Sequence, residues 1–253
     1  MPSPIGSAPT SLTLVLPAYN EAKRIGPALD DLMAYLRTRP ADLPVTEVLV
    51  VDDGSSDDTA ALVAARPEVV DGQLRVMTVP HAGKGAAVKA GMLAATGDLV
   101  VFADADMATP PAELVKLVAA LGSADVALGS RIQPDGTDMR ASQPRYRRFL
   151  GGVFHTLASV WVVGNVKDTQ AGFKGFTREA AHDLFARQQV TSIVFDVELV
   201  HLARRRGYRI AIVPIRWEDV RGSRMRPGPR LALRVAWDLF RIPLLHRDVR
   251  RRP

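Results

Sequence analysis

The stretch that decides the fold is Leu99-Val100-Val101-Phe102-Ala103-Asp104-Ala105-Asp106. Its first five residues form a continuous apolar run, which is typical of a strand buried on both faces of a parallel sheet. Two aspartates follow where that strand should end, and residues i and i+2 of an extended segment point to the same side. Ligands collect at the carboxyl ends of strands in open α/β sheets, and Mg²⁺ binds through one or two carboxylates together with phosphates. The stretch therefore predicts a buried strand that delivers Asp104 and Asp106 to a metal and phosphate site.

Strand and helix patterns alternate along the first half of the chain. Short apolar runs predict strands over residues 12–16, 47–51, 74–79, 98–103 and 124–128. Helices are predicted over 25–37, from a cap at Ser56 or Asp57 to about 65, over 85–95, and after Thr109-Pro110-Pro111 with Thr109 as the N-cap. Strands separated by helices of this length are typical of βαβ units. The expected fold class is therefore α/β, with a mostly parallel central sheet flanked by helices.

The second half of the chain lacks this regular alternation of strand and helix patterns. Residues 133–144 form a polar loop, residues 149–163 are apolar and predicted to be helical, and residues 168–176 are glycine-rich. Further predictions are helices from 178 and over 196–206, a strand over 210–213, and an amphipathic C-terminal helix over 231–246 with Arg234, Asp238 and Arg241 on one stripe. No linker or internal repeat divides the chain, so we expect a single domain over residues 1–253.

Charge and composition narrow the possible partners. The chain has no cysteine, which excludes disulfides and thiolate chemistry. Residues 1–130 carry 9 Lys/Arg and 16 Asp/Glu, a balance of −7, whereas residues 131–253 carry 24 and 11, a balance of +13. The basic half should meet a phosphorylated substrate or a membrane surface. Nucleic acid is not expected, because no nucleic-acid-binding motif is visible and few aromatic residues lie among the arginines.

Membrane contact is expected to be peripheral. Residues 1–10 lack the basic and apolar regions of a signal peptide, and the longest apolar stretch, 149–164, is shorter than the roughly 20 residues of a spanning helix. Amphipathic surface and arginine-rich loops would then provide the contact. The expected location is cytoplasmic, at the cytoplasmic face of a membrane.

Polar motifs recur where the predicted strands end. They are Pro17-Ala18-Tyr19-Asn20-Glu21, Asp52-Asp53-Gly54-Ser55, Gly83-Lys84-Gly85 and Asp104-Ala105-Asp106, followed by Gly129-Ser130-Arg131, Asp168-Thr169-Gln170-Ala171-Gly172-Phe173-Lys174 and Phe195-Asp196-Val197-Glu198-Leu199. This ordered series resembles the family 2 glycosyltransferases of GT-A fold, and among them most closely the dolichyl-phosphate β-glucosyltransferases. The resemblance covers about residues 12–240. It implies a Rossmann-like GT-A domain with a nucleotide-sugar-binding half (about 12–130) and a basic acceptor-binding half (about 131–246).

The resemblance also implies roles for residues of the first half. Ala18, Tyr19 and Glu21 would line the nucleoside pocket, and Asp52 would accept a hydrogen bond from the uracil or the ribose. Asp104 and Asp106 would hold the ribose and a Mg²⁺ or Mn²⁺ ion that bridges the diphosphate. The expected donor-binding residues are Pro17, Ala18, Tyr19, Glu21, Asp52, Gly83, Lys84, Asp104, Ala105 and Asp106. The Gly83-Lys84-Gly85 segment lacks the spacing of a P-loop, and its simpler interpretation is that it opens a helix beside the nucleotide.

The resemblance also implies that Arg131, with Arg145 or Arg148, binds an acceptor phosphate, a role that suits guanidinium groups because they match phosphate oxygens. The predicted acceptor-phosphate residues are Arg131, Arg145, Arg148 and Gln170, and the predicted catalytic residues are Asp106, Arg131, Asp196 and Glu198. A sugar hydroxyl needs a general base when it attacks, whereas a lipid phosphate is already ionised near neutral pH. Asp196 and Glu198 therefore have two interpretations, as chemical groups or as acidic residues that complement a helix dipole.

One residue favours the glucosyl branch of the family. The mannosyltransferase branch often has Gln two positions after the second aspartate, and Ala108 occupies that place here. The expected function is inverting, metal-dependent transfer of glucose from UDP-glucose to a polyprenyl phosphate. The alternatives are a GDP-mannose-dependent polyprenyl-phosphate mannosyltransferase and a glycosyltransferase with a soluble phosphorylated acceptor. Outside this class stands a non-catalytic module for nucleotide binding or membrane recruitment.

Overall fold

One mostly parallel sheet forms the centre of the protein. A computed structural model of the 253-residue chain describes residues 9–139, 162, 168, 171–218 and 229–252. The strands within these ranges are β1 (Ser11–Ala18), β2 (Val45–Asp52), β3 (Leu74–Thr78), β4 (Leu99–Ala103), β5 (Val126–Ser130), β6 (Phe173–Thr177) and β7 (Ile210–Pro214). They form a sheet in the order β3-β2-β1-β4-β6-β5-β7, in which β6 runs antiparallel to both of its neighbours. The predicted α/β class with a mostly parallel sheet is confirmed.

Helices cover both faces of the sheet. They are α1 (Ile25–Arg37), α2 (Thr59–Ala64), α3 (Pro67–Val70), α4 (Lys84–Ala94), α5 (Leu114–Leu121), α6 (Arg178–Arg187), α7 (Phe195–Arg206) and α8 (Pro229–Leu245), with a 3₁₀ turn at Pro111–Glu113. Because successive strand residues point to opposite faces, β4 contributes to two cores. Val100 and Phe102 pack with α4, α6 and α7, whereas Val101 packs with α1 and α5. This two-sided burial explains why β4 is apolar at every position.

Three local predictions require correction. Strand β6 was predicted only as part of a glycine-rich segment, because Lys174 and Gly175 interrupt its apolar pattern; pairing with β4 and β5 fixes it instead. Thr109 does not cap a helix, since Pro110 adopts an extended ψ of 143° before Pro111 and the 3₁₀ turn begins there. Asp238 does not lie on an exposed charged stripe; it is 2% exposed and accepts a hydrogen bond from the Ser192 hydroxyl.

Candidate active site

The predicted donor-binding residues gather at the carboxyl edge of the sheet, where the strand order reverses. The chain passes from β1 to β2 and β3 on one side, whereas β4 pairs on the other side of β1. Such a switch point opens a crevice beyond the strand ends and is the usual ligand site of open α/β sheets. Ala18 and Asp52 end two strands at this edge as a register pair, and Ala103 ends β4 beside them. The motifs that follow these strands therefore meet across one crevice.

The aspartate pair is held in a tight turn directly after β4. The Asp104 amide donates to the Gly172 carbonyl at 3.0 Å, and a Cβ atom on Gly172 would overlap the Asp104 carboxylate. Met107 adopts a left-handed φ of 51°, and Asp106 Oδ1 accepts a hydrogen bond from the Ala108 amide at 3.2 Å. Burial and the adjacent charge of Asp104 raise the pKa of the Asp106 carboxyl. Two acidic groups crowded in this way favour a nearby cation.

Lys84 supplies a cation at this position. Its Nζ lies 2.5 Å from Asp104 Oδ1, and both side chains are about one-third exposed. Burial lowers the pKa of Lys84, but the charges of Asp104 and Asp196 outweigh this effect and leave that pKa raised. The structure thus places Lys84, a predicted donor-binding residue, in contact with a predicted metal ligand.

The glycines beside Lys84 allow two segments to approach closely. Gly83 has a φ of 101° and caps α4, which begins at Lys84, so this segment does open a helix. The Gly85 amide donates to the Thr191 carbonyl at 3.0 Å, and a Cβ on Gly85 would lie only 2.8 Å from that oxygen. This contact fixes the start of α4, and therefore Lys84, against the loop that precedes α7.

A fully buried ion pair lies behind this surface. Lys174 Nζ is 2.7 Å from Asp196 Oδ1 and donates to the Ala171 carbonyl at 2.5 Å. Lys174 is 0% exposed and Asp196 is 4% exposed. Burial lowers the pKa of Lys174 and raises the pKa of Asp196, because both charged forms lose their hydration. Asp196 is therefore already engaged as an ion-pair partner, and Lys174 is a residue of the site to which the sequence assigned no role.

Glu198 belongs to the scaffold. It is completely buried, and its two carboxylate oxygens accept hydrogen bonds from the Gln189 and Val190 amides, both at 2.9 Å. His246 Nε2 lies 2.7 Å from Glu198 Oε1. Two positions along a helix differ by about 200° in direction, so Glu198 and Asp196 face opposite ways. The interpretation of Glu198 as a catalytic group does not fit this placement.

The Arg131 guanidinium forms an ion pair with Asp168 inside the protein. Its Nε and Nη2 donate to the two oxygens of Asp168 at 2.9 and 2.7 Å, and its backbone amide donates to Asp168 as well. The guanidinium carbon also lies 5.7 Å from the centre of the Trp217 ring. Arg131 follows β5 at the site edge, as expected, but Asp168 occupies the Nε–Nη2 edge of its guanidinium, so this edge is not open to an acceptor phosphate.

Two loops that contact each other form the side of the crevice where the sequence predicts a nucleoside pocket. Asp53 accepts hydrogen bonds from the Ala82 and Gly83 amides at 2.9 and 3.1 Å and contacts His81 at 2.9 Å. The His81 ring stacks on Tyr19 with 4.2 Å between ring centres. Tyr19 is 41% exposed, so this stacked pair stands at the mouth of the crevice. Asp53 and His81 were not predicted as site residues, because a second aspartate and an isolated histidine carry no distinctive spacing.

The remaining predicted residues of this loop pair are close by. The Asp52 carboxylate is nearly buried and accepts a hydrogen bond from the Ser55 amide at 3.3 Å. Both carboxylate oxygens of Glu21 accept hydrogen bonds from the Arg24 guanidinium, at 2.6 and 2.7 Å. The bond with Glu21 raises the pKa of Arg24, and the nearby negative charge of Asp106 raises it further. The β1–α1 loop and the aspartate pair therefore share one electrostatic environment.

Some predictions lie beyond what the structure covers. Arg145, Arg148 and Gln170 are outside the described residues, as is the predicted helix over 149–163 apart from Val162. Among the described residues, no cluster of three or more His, Asp or Glu side chains could hold a metal ion alone. A metal at Asp104 and Asp106 would therefore need further ligands from a substrate or from water, as is usual for Mg²⁺.

The family follows from comparison with known proteins. The family model described as Glycosyl transferase family 2 matches residues 13–185. This chain belongs to glycosyltransferase family 2. It is 38% identical to a dolichyl-phosphate beta-glucosyltransferase of Trichomonas vaginalis, over 98% of this chain and 75% of the relative. It is also 34% identical to the human dolichyl-phosphate beta-glucosyltransferase, over 90% of this chain and 73% of the relative.

Solved structures support the fold. Glucosyl-3-phosphoglycerate synthase from Mycobacterium tuberculosis, in complex with Mn²⁺, UDP-glucose and phosphoglyceric acid, superposes with a TM-score of 0.64 at 22% identity, over 92% of this chain and 79% of that one. The expected GT-A fold is confirmed, and membership of the family makes the chain an enzyme, a glycosyltransferase, rather than a non-catalytic module. In the part of the chain that the structure describes, no helix combines the length and apolar character needed to cross a bilayer.

Proposed function

We propose that this glycosyltransferase moves glucose from UDP-glucose to a polyprenyl phosphate, with inversion and with a divalent metal ion, at the cytoplasmic face of a membrane. The observation that carries the proposal is the group formed by Asp104, Asp106 and Lys84 at the switch point of the sheet. It offers two carboxylates for a metal and one partly exposed cation for a diphosphate. The names of the relatives support glucose as the sugar and a dolichyl-type phosphate as the acceptor.

Donor binding would use the loops that follow β1 and β2. Tyr19, stacked on His81, offers an exposed aromatic face to a nucleobase. Asp52 ends β2 at the same edge with a carboxylate able to accept from the uracil or the ribose. Pro17 and Ala18 end β1 beside it, and Ala105 separates the two metal-site aspartates. These positions agree with the roles that the family resemblance implies.

The residues present fit a Mg²⁺ or Mn²⁺ ion. Burial and the charge of Asp104 raise the pKa of Asp106, so the pair carries unfavourable repulsion that a cation relieves. A bound ion would neutralise the charge that develops on the leaving diphosphate. Asp104 and Asp106 would hold it, with the phosphates completing its coordination.

Residues of the chain would also bind the diphosphate and support the site. Lys84 would turn from Asp104 towards the diphosphate when the donor arrives, since a phosphate offers it more negative charge. The buried Lys174–Asp196 pair would fix the backbone behind the aspartates and Lys84. Asp196 and Glu198 are both engaged in the protein, which agrees with an acceptor phosphate that attacks without a general base. A single in-line displacement on the α-linked donor gives a β-linked product.

Nucleotide selectivity tests the donor half of the proposal. Thermal-shift titration with UDP, GDP and CMP, each with and without Mn²⁺, should show the largest stabilisation with UDP plus Mn²⁺. A preference for GDP would favour the mannosyl alternative. Equal shifts with all three nucleotides would contradict the donor assignment.

Transfer into lipid tests the complete proposal. Labelled UDP-glucose and added polyprenyl phosphate should give an organic-extractable product. Asp106→Asn should abolish transfer, whereas Asp31→Asn, at an exposed position of α1, provides a matched control. Label that enters a water-soluble phosphorylated acceptor instead would support the other alternative. An active Asp106→Asn variant would show that the metal site has been placed wrongly.

A further inference from the structure

Helix α8 carries an exposed apolar stripe. Leu233, Trp237, Phe240 and Leu244 are 73%, 61%, 50% and 57% exposed. Their spacings of four, three and four residues place them within about 60° of one another around the helix. The Trp237 and Phe240 rings stack with 6.2 Å between centres. The stripe is therefore a continuous apolar line along about three turns and not a set of scattered residues.

The opposite face of α8 fixes the orientation of this stripe. Leu239 and Ile242 are 4% and 0% exposed and pack in the core. The buried Asp238 accepts a hydrogen bond from the Ser192 hydroxyl at 2.6 Å, and the buried His246, just beyond the helix, contacts Glu198. Because these contacts hold the inner face, the helix cannot simply rotate to hide the stripe.

We propose that this stripe docks into the interfacial layer of an anionic phospholipid membrane, with α8 lying parallel to the surface. Arg234 is exposed one position after Leu233, and Arg247 and Arg250 are exposed beyond the end of the helix. Apolar and aromatic side chains on one face with arginines beside them suit the boundary between headgroups and acyl chains. The charge balance of +13 over residues 131–253 is complementary to anionic lipid.

The size of the stripe favours a membrane over a second copy of the chain. Its four side chains expose on the order of 500 Å², whereas a stable protein interface takes about 800 Å² from each partner. A single line of side chains suits shallow insertion, in which every residue reaches the same depth. A lipid surface is therefore the better occupant.

Docking there would bring the active site to the membrane. Asp238 on α8 binds Ser192, and the neighbouring Thr191 contacts Gly85 at the start of α4, next to Lys84. A helix resting on the bilayer would thus lie one loop away from the cation of the donor site. This step rests on the proposed lipid-phosphate acceptor, whereas docking itself does not depend on which nucleotide sugar is bound.

Vesicle binding of the full chain tests the inference. The protein should co-sediment with phosphatidylcholine vesicles containing roughly 30 mol% phosphatidylglycerol, and more weakly with phosphatidylcholine alone. Trp237→Gln/Phe240→Gln should weaken binding to the mixed vesicles by about tenfold or more, because binding scales with buried apolar area. Leu62→Gln/Val70→Gln, which changes exposed apolar residues elsewhere (46% and 89% exposed), should bind as the wild type does.

Two further measurements make the result decisive. Lipids with a quencher on the acyl chain should quench the fluorescence of the wild type more than that of Trp237→Phe, which retains Trp161 and Trp217. UDP-dependent thermal stabilisation, measured without vesicles, should be the same in all variants. Unchanged vesicle binding in Trp237→Gln/Phe240→Gln would overturn the membrane proposal. A wild-type dimer that dissociates in this variant would also overturn it, because the stripe would then be a protein interface. If UDP does not stabilise the wild type, the proposed function is contradicted, whereas the vesicle result still stands.

Discussion

The pair formed by Lys174 and Asp196 offers the sharpest test of how this site is built. Asp196 resembles a catalytic carboxylate by sequence, but in the structure it lies 2.7 Å from a lysine that is 0% exposed. If its task is to neutralise that lysine, the loss of either partner should destabilise the fold far more than the loss of both. The variants are Lys174→Met, which keeps most of the length of the side chain, Asp196→Leu, which keeps its approximate shape, and their combination.

The expected magnitudes follow from the burial of the pair. Removing one partner of a buried ion pair leaves an uncompensated charge, at about 3–5 kcal/mol of unfolding free energy. Replacing both partners by apolar residues of similar volume is often close to neutral, so the double variant should lose no more than about 2 kcal/mol. Two single losses of at least about 3 kcal/mol, set against a double loss of at most about 2 kcal/mol, give a coupling free energy of roughly 4 kcal/mol or larger. The exposed pair Arg247–Asp248, at 3.5 Å, is the control, with an expected loss below about 1 kcal/mol for Asp248→Asn.

Urea denaturation of the four proteins measures these values, and its pH dependence gives an independent check. In Asp196→Leu, Lys174 is buried without its carboxylate, so its folded-state pKa falls further below that of the unfolded chain. The unfolded state then binds more protons, and the stability of this variant should rise as the pH rises through that lowered pKa. Additive losses in the double variant would refute the pairing argument. A stable Asp196→Leu that has lost glucosyl transfer would show that Asp196 acts in the chemistry.

Three further predictions concern other parts of the molecule. Lys84→Met should tighten Mn²⁺ binding without nucleotide by about two- to tenfold, because Asp104 loses its competing cation, while UDP binding weakens; calorimetry of each ligand separates the two effects. Glu198→Gln should reduce the unfolding free energy by about 2 kcal/mol in urea titrations and lower catalytic rate only in proportion to folded protein, since the carboxylate binds backbone amides and His246. Hydrogen bonds from Thr10 and Ser11 lower the pKa of Asp98 to about 2. The ionised Asp98 therefore stabilises the fold fully above about pH 4, and this contribution is lost as the pH falls towards 2. In an acid titration, the unfolding free energy of Asp98→Asn should change less with pH than that of the wild type.

The sequence predicts the parts of the fold that depend on local pattern. The apolar runs of β1, β2 and β4 and the amphipathic period of α1 are visible in the chain, and the motifs at their ends lie at one edge of the sheet, as parallel strands require. Strand β6 was missed because its buried lysine is tolerated only through Asp196, a contact 22 residues away in sequence. The engaged states of Arg131 and Glu198 were missed for the same reason. Sequence shows which charged residues are present, but only tertiary structure shows how they are paired.

These pairings give the site a defined electrical order. Lys174, Asp196, Lys84 and Asp104 alternate in sign from the core towards the crevice, and Asp106 adds a second negative charge near Asp104. A divalent cation alone would crowd Lys84, whereas a diphosphate alone would face two carboxylates. Binding of either ligand alone would be unfavourable, whereas binding of both would let Lys84 move from Asp104 to the phosphates at little electrostatic cost. By linkage, metal and donor should then raise each other's affinity by the same factor. We therefore expect Asp104, Asp106 and Lys84 to respond to metal and donor as one unit, because Asp104 and Lys84 are each other's ion-pair partner.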